Sequence, residues 1–553
     1  MEAYNIISNK ENNNQEKHKF VLLHNRDDQE KLLGNLNTYI PILMNTLWDN
    51  PNIVAELIIN SNNDDLKNNI APFICNNFYE NILSSNYIEE QLLYVISIVL
   101  KDEINNKIKT KEDINNFLEN SSCGILMEQM KFRQDIQTYF KSLIYKIIEK
   151  IEGKFSSFVI NFDVKKIEED FKAKKQQMEI EFKATGKKQK VTTSDYFKKT
   201  FEEFHKAKNI DQNREDKELF NVKYIPSLTK DEYKKLIDKN NNNKIISDFL
   251  LSNWNLCNDN PNIYSNETLI KNVFQSELSN QMLASYQIDF IEVIKILDEL
   301  IKSFLEYISL LPYSIKCICK MIFILIKKKF PDLSLAEQNA YISKFFFNKL
   351  FSTFFENPGT WALINNFIIS GITKYNLKII SFLIKKIFSM KLFFNEVGSG
   401  DYTPFNWFII DQIPDIYTFL ENLTLVELPS FIDKYLNDEL SNSYEYNYFK
   451  EHPEEEIYNR AICFSFNDLC AIINNMENEK EVFFPNNKNL GLKKSLEKLT
   501  NKSSREIIEE IKKNVQYDTI KIFDIKKNKE LKGKKGDKIL HYIFLTDILT
   551  NNN

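Results

Sequence analysis

Residues 287–311, QIDFIEVIKILDELIKSFLEYISLL, set apolar side chains at Phe290, Ile294, Leu297, Ile301, Phe304 or Leu305, and Ile308. Steps of three and four bring those positions onto one stripe of an α-helix, and Pro312 follows where a helix must stop. A stripe that long has to be covered by other helices, and the chain supplies them. YSIKCICKMIFILIKKKF closes at Pro331-Asp332, residues 334–356 open on a Ser334 cap and stop at Asn357-Pro358-Gly359, and NLKIISFLIKKIFSMKLF occupies 376–393. Upstream, Asn50-Pro51 opens a helix with proline in its favoured first position. Residues 88–104 place Leu92, Val95, Ile96, Val99 and Leu100 on one buried face, and MEQMKFRQDIQTYFKSLIYKIIEKIEG keeps the spacing to Gly153. Only 11 glycines serve 553 residues, about 2% against a usual ~7%. That leaves little material for tight β-turns or glycine-lined phosphate loops. The expected fold is all-α and elongated.

Three regions follow from the pattern. Residues 1–30 read as a polar tail, and 31–478 as one helical domain interrupted by a charged insertion at about 170–285. Residues 479–553 form a small appendage, in which TIKIFDI near Thr519 reads as a strand pairing with KILHYIFL near Lys538. Within the insertion, residues 171–209 hold 11 lysines against 5 acidic residues, an excess of +6. A solvated arm is the plain reading of that stretch; a face for acidic phospholipid or an acidic partner is the sharper one.

Much chemistry is absent. No phosphate-binding GxxxxGK[ST], no GxGxxG, no GxSxG elbow and no kinase signature occurs. Five scattered histidines and seven cysteines without a CxxC pair give no zinc-like spacing, so neither a metal nor a cofactor is expected. A net charge of −5 gives no general affinity for nucleic acid. The runs LLYVISIVL and MIFILI fall short of the ~18 apolar residues that span a bilayer. A cytoplasmic protein, peripheral to membranes at most, is the expectation. A helical protein that binds another protein is favoured over a self-contained enzyme.

The order of the helices carries a resemblance. LPYSIKCICKMIFILIKKKFPD, then ISKFFFNKLFSTFFENP, then TKYNLKIISFLIKKIFSMKLF is similar to the central helices of the Ras GTPase-activating protein domain. YTPFNWFIIDQIPDIYTFLENL fits the helix that follows, and FVINFDVKKI the short link after the finger region. AICFSFNDLCAIINNM resembles the closing helix of the IQ-motif-containing scaffold members. NPNIVAELI and QLLYVISIVLKDEI resemble those scaffolds and the endocytic Ras-GAP/Rab-exchange-factor members alike.

What the resemblance implies centres on residues 115–129, NNFLENSSCGILMEQ. Activating proteins of this kind insert an arginine in trans against the charge that develops on GTP, worth about 10³–10⁵ in rate. That finger sits in a loop reading FRxNS, matched here by Phe117, Leu118, Glu119, Asn120 and Ser121. Leu118 stands at the arginine position; sliding the match by one residue puts Glu119 there. A second arginine, which bonds the finger loop into shape, falls on Lys349. In the helix facing the GTPase, Asn376 is retained, while the family's lysine and glutamine become Phe382 and Lys385. Asn120-Ser121 and Asn376 serve equally well as helix caps. Arg133 and Lys131 are the nearby substitute cations. The resemblance thus implies a regulator of a Ras-superfamily small GTPase with no catalytic residue of its own, holding the GTP-loaded partner more than accelerating hydrolysis. The alternative is an endocytic or cytoskeletal scaffold acting through its insertion and C-terminal region, without GTPase contact.

Overall fold

A computed structural model describes residues 50–79, 86–155, 159–162, 230–239, 279–359, 369–393, 405–440 and 460–483, with scattered positions elsewhere. Two compact units are present. One is Asn62–Tyr444; the other joins Met1–Ser61 to Glu445–Asn553, a partition that differs from the sequence-based limits at 31 and 478.

In the second unit, α1 (Pro51–Asn60) begins on Asn50, whose side chain accepts from the Ile53 N–H, with proline in the first turn as expected. Phe466–Asn478 is a helix, as the resemblance implied, whereas the strands of this unit depart from the sequence reading. Arg460–Ser465 is a strand (β1), and KILHYIFL pairs with it rather than with TIKIFDI: Leu540–Leu545 runs antiparallel to β1, in register Arg460↔Leu545 to Ser465↔Leu540. Phe523–Asp524 pairs instead with Lys529–Glu530. Read in isolation, AICFSFN has an apolar content that suits helix and strand alike; the long-range partner decides.

The larger unit is helical throughout its described residues. It contains α2 (Ala71–Tyr79), α3 (Asn86–Lys107), α4 (Lys111–Asn120), α5 (Ser122–Met130), α6 (Gln134–Phe155), α7 (Lys230–Lys239) and α8 (Ser279–Tyr307). These are followed by α9 (Tyr313–Lys329), α10 (Leu335–Phe346), α11 (Ser352–Glu356), α12 (Gly371–Phe388), α13 (Phe405–Thr424) and α14 (Ser430–Leu436). Leu92, Val95, Ile96, Val99 and Leu100 on α3 are all fully buried, as their spacing requires. On α8 the buried stripe is Phe290, Val293, Ile296, Leu297, Leu300, Ile301 and Phe304, so Phe304 rather than Leu305 points inward and Ile294 lies at its edge. The segment predicted as one helix to Gly153 is broken at Lys131–Arg133 into α5 and α6, which continues past Gly153 to Phe155.

The centre is aromatic. Phe304 of α8 meets Phe347, Phe351, Phe388 and Phe419 at centroid distances of 5.2–5.3 Å, and Phe347 stacks on Phe388 at 4.4 Å. Rings on α8, α12, α13 and the turn that follows α10 thus interlock around one point, each burying an area that alone stabilises by a few kcal/mol. Between α10 and α11 the chain widens into a π-helical turn, Phe347–Phe351. Such turns recur at functional positions because they redirect side chains without ending the helix. Here Phe347 and Phe351 are fully buried in the aromatic centre, and the same turn carries Lys349.

Of the remaining expectations, the lysine-rich stretch 171–209 and the tail 1–30 lie outside the described residues apart from isolated positions. Among the described residues no single helix is long and apolar enough to cross a membrane.

Candidate functional site

The site forms where α4 ends and α5 begins. Only Ser121 separates the two helices, so the polar cluster is a one-residue break rather than an open loop. Ser121 has extended backbone and its Oγ accepts from the Gly124 N–H at 2.9 Å, a regular N-cap. The other two N–H groups of the first turn are met from α3. Glu103, fully buried, accepts from Ser122 N–H at 3.0 Å and Cys123 N–H at 3.4 Å, and its carboxylate is paired with Lys107 at 2.7 Å. An anion at the positive end of a helix is well placed. With it in position, all three N–H groups of the first turn are satisfied within the chain. Burial next to Glu103 also holds the Cys123 thiol far above its usual range, which leaves it unreactive.

Lys349 closes the junction from the opposite side. Its Nζ donates to the Glu119 carbonyl at 2.7 Å and to Glu128 Oε1 at 2.8 Å, with the residue only 8% exposed. The aliphatic stem crosses Gly124, where a Cβ would lie 2.9 Å from Lys349 Cε. Glycine at 124 therefore provides the passage that Lys349 uses. Lys344, one turn back on α10, pairs with the Glu119 carboxylate at 2.8 Å and donates to Asn115 Oδ1 at 3.2 Å.

Along α4 the neighbouring positions divide sharply. Phe117 and Leu118 are core residues, Leu118 being 1% exposed, whereas the Glu119 side chain is 54% exposed and Asn120 is on the surface, bonded to Asn116. Leu118 therefore cannot offer its side chain to a partner, and the residue presented at the end of α4 is Glu119.

The α12 positions do not converge on this cluster. Asn376 is not a cap, because Ser370 caps α12 by accepting from Thr373 N–H. Asn376 is fully buried and its Oδ1 accepts from Ile160 N–H at 2.8 Å, fastening the link after α6. Lys385 pairs with Glu356 of α11 at 3.3 Å, the same carboxylate oxygen that accepts from Ser381 Oγ at 2.6 Å. Phe382 is 44% exposed and lies against Tyr402. With Lys374, Tyr375 and Lys378 it makes an outward face of cations and rings on α12.

A GTPase-activator protein for Ras-like GTPase family (RasGAP) matches residues 95–389, just over half of the chain, including the α4–α5 junction, Lys344, Lys349 and α12 up to Phe388. The chain belongs to the RasGAP family. It is a GTPase activator or regulator by type, and its all-α domain interacts with a Ras-superfamily GTPase. No curated protein matches the chain.

Within this RasGAP domain, Lys349, which the sequence match set at the place of the shaping arginine, bonds the end of α4 through the Glu119 backbone carbonyl. A lysine suffices there because one point donor reaches the carbonyl and one the carboxylate; the planar fork of arginine is not needed. The two cations suggested as substitutes are engaged elsewhere. Arg133, 8% exposed, bonds Asp135 at 2.6 Å, Ser314 Oγ at 3.0 Å and Glu89 at 3.2 Å. Lys131 sits 5.5 Å from the Phe132 ring centre, and burial lowers its pKa. Four residues of the site escape sequence reasoning: Glu103, Gly124, Glu128 and Lys344. Gly124 alone carries a local signal, a glycine in the first turn of a helix in a glycine-poor chain. The other three are brought in by packing between helices.

Proposed function

We propose that this RasGAP domain binds a Ras-superfamily GTPase without supplying a cation to the nucleotide. The observation that carries the reading is that, among the described residues, the donors at the junction are engaged inside the chain. Lys349 serves the Glu119 carbonyl and Glu128, Lys344 serves the Glu119 carboxylate, and Glu103 with Ser121 takes the first turn of α5. The group that projects is an acid. Catalysis by a finger depends on a positive charge delivered where negative charge develops, and Glu119 delivers the opposite. Adhesion comes from the outward face of α12, where Lys374, Lys378 and Phe382 suit an acidic and partly apolar surface. Within the family, QLLYVISIVLKDEI supports a place near the IQ-motif-containing scaffold and endocytic members. A partner of this class acts on the cytoplasmic side, and the +6 excess of residues 171–209 supports contact with anionic lipid there.

Single-turnover GTP hydrolysis by a panel of recombinant Ras-superfamily GTPases, with and without the full chain, tests the reading. The wild type is expected to change the rate less than tenfold. Glu119→Arg, which places a guanidinium at the projecting position, is expected to raise the rate at least tenfold over the wild-type complex. Acceleration by the wild type of ~10³, the low end of what a finger supplies, would overturn the proposal.

A further inference from the structure

Where α3 begins, about 20 Å of helix before Glu103 and the α4–α5 junction, the larger unit carries apolar side chains that its core does not use. The corner between α8 and α9 leaves Leu310 61% and Tyr313 41% exposed, and the connection from α13 to α14 leaves Leu425 71% exposed. The two segments are neighbours: Ile308–Leu310 packs against α13, and the Tyr313 hydroxyl donates to the Glu427 carbonyl at 2.8 Å. Burial, the Cys317 thiol and the Glu90 and Glu89 carboxylates at the start of α3 hold the Tyr313 pKa above its usual value, so its hydroxyl remains a donor. Glu89 in turn accepts from the buried Arg133, which also bonds Asp135 of α6 and Ser314 of α9. That guanidinium ties α3, α6 and α9 together, and the exposed groups stand on a fixed base.

Single exposed leucines are ordinary, but three large apolar side chains on two touching segments make one patch. Its rim is acidic. Glu306 precedes Leu310 by four residues, Glu421 precedes Leu425 by four, and Glu427 follows two later; all three are exposed and none forms an ion pair among the described residues. Of the lysines on the same helices, Lys302 is already paired with Asp298 and Lys316 is half-buried. We infer that this patch docks a basic, amphipathic segment of a second protein, its apolar side on Leu310, Tyr313 and Leu425 and its lysines or arginines over Glu306, Glu421 and Glu427. Apolar contact on a rigid base supplies affinity, and the opposite charge of the rim supplies orientation. The same rim disfavours two other occupants. An anionic bilayer repels carboxylates, and a second copy docked across a two-fold axis sets acid against acid. The patch lies apart from the GTPase-binding surfaces, and docking here does not depend on that reading.

The probe is a labelled leucine–lysine peptide with its leucines on one helical face, titrated into the full chain and followed by fluorescence anisotropy. Saturable binding is expected, at least tenfold weaker in Leu310→Ser/Leu425→Ser and at least threefold weaker in Glu306→Gln/Glu421→Gln/Glu427→Gln. All of these positions are exposed, so both variants should melt with the wild type. Hydrogen exchange on the wild type should slow at residues 306–313 and 421–429 when the peptide is bound, which locates the site without any substitution. A leucine–glutamate peptide of the same pattern should fail to bind. Peptide binding untouched by the leucine substitutions, or equal binding of the acidic peptide, would overturn the inference. Loss of sedimentation with phosphatidylserine vesicles in the leucine variant would make a bilayer the occupant and overturn it, as would a wild-type dimer that the same variant dissolves. Tighter peptide binding after lysine-to-glutamine replacement throughout residues 171–209 would make that segment of the chain the occupant, with the same consequence.

Discussion

Replacing Leu118 with arginine is the substitution that a sequence match recommends for restoring the finger, and the structure expects it to damage the fold instead. Leu118 is 1% exposed on the inner side of α4, next to Phe117, with α4 packed against α10 and α5. Removing a buried leucine side chain costs about 2–5 kcal/mol. An arginine there must either bury a guanidinium that finds no prepared partner or displace the core around it, adding ~1–3 kcal/mol. The total is about 4 kcal/mol or more. Glu119→Arg is the comparison. It loses one partly exposed ion pair with Lys344, worth at most ~1 kcal/mol, and sets two cations near each other with Asn115 still available to Lys344. Urea unfolding of the full chain followed by circular dichroism separates the two. With a slope of about 3 kcal/mol/M or above, Leu118→Arg should lower the midpoint by about 1 M, and Glu119→Arg by no more than about 0.3 M. If Leu118→Arg unfolds with the wild-type midpoint and slope, Leu118 is not a core residue, and the assignment of Glu119 as the presented position fails with it.

Two further outcomes follow from the same contacts. Lys349→Met keeps the stem over Gly124 but leaves the Glu119 carbonyl and Glu128 without their donor; a loss of about 1.5–3 kcal/mol is expected, with faster amide exchange at Ser121–Gly124 than in the rest of α5. Asp438 takes a left-handed backbone (φ 61) at the end of α14 and pairs with Lys101 and Lys328, whose hydrogen bonds pull its pKa down to about 2. A depressed carboxylate stabilises the fold above its unfolded pKa and loses that contribution as pH falls toward the folded value. Asp438→Asn tolerates the same backbone and removes only the charge. Its melting temperature should therefore lie below the wild type's at pH 7, and the gap should narrow between pH 4 and pH 2.

Helix boundaries were legible wherever a local chemical signal exists. Ser334 caps α10 through a box with Glu337, Pro312 stops the α8 run, and Asn50-Pro51 opens α1. Burial on α3 followed from spacing alone, because a helix period converts position directly into face. Errors arose where two readings share the same residues. Arg460–Ser465 became a strand because Leu540–Leu545 lies beside it, some eighty residues away in sequence. Asn376 suited a cap by composition, yet its side chain serves Ile160, and Ser370 holds the cap. Lys349 came from the order of the helices, while its two acceptors, the Glu119 carbonyl and Glu128, are set by packing between helices.

The sequence by itself determined a helical RasGAP domain and the identity of the residues in and around the segment that it matched to the finger, in which no arginine stands. It left Leu118 and Glu119 open as alternatives, because a match that can slide by one residue contains no information about which side chain faces the solvent. Tertiary structure decided that. Leu118 turns into the core of α4, α5 and α10, Glu119 turns outward under Lys344, and Glu103 arrives from α3 to occupy the α5 N-terminus. One residue along a helix is a rotation of about 100°. Here that rotation separates a buried leucine from an exposed carboxylate.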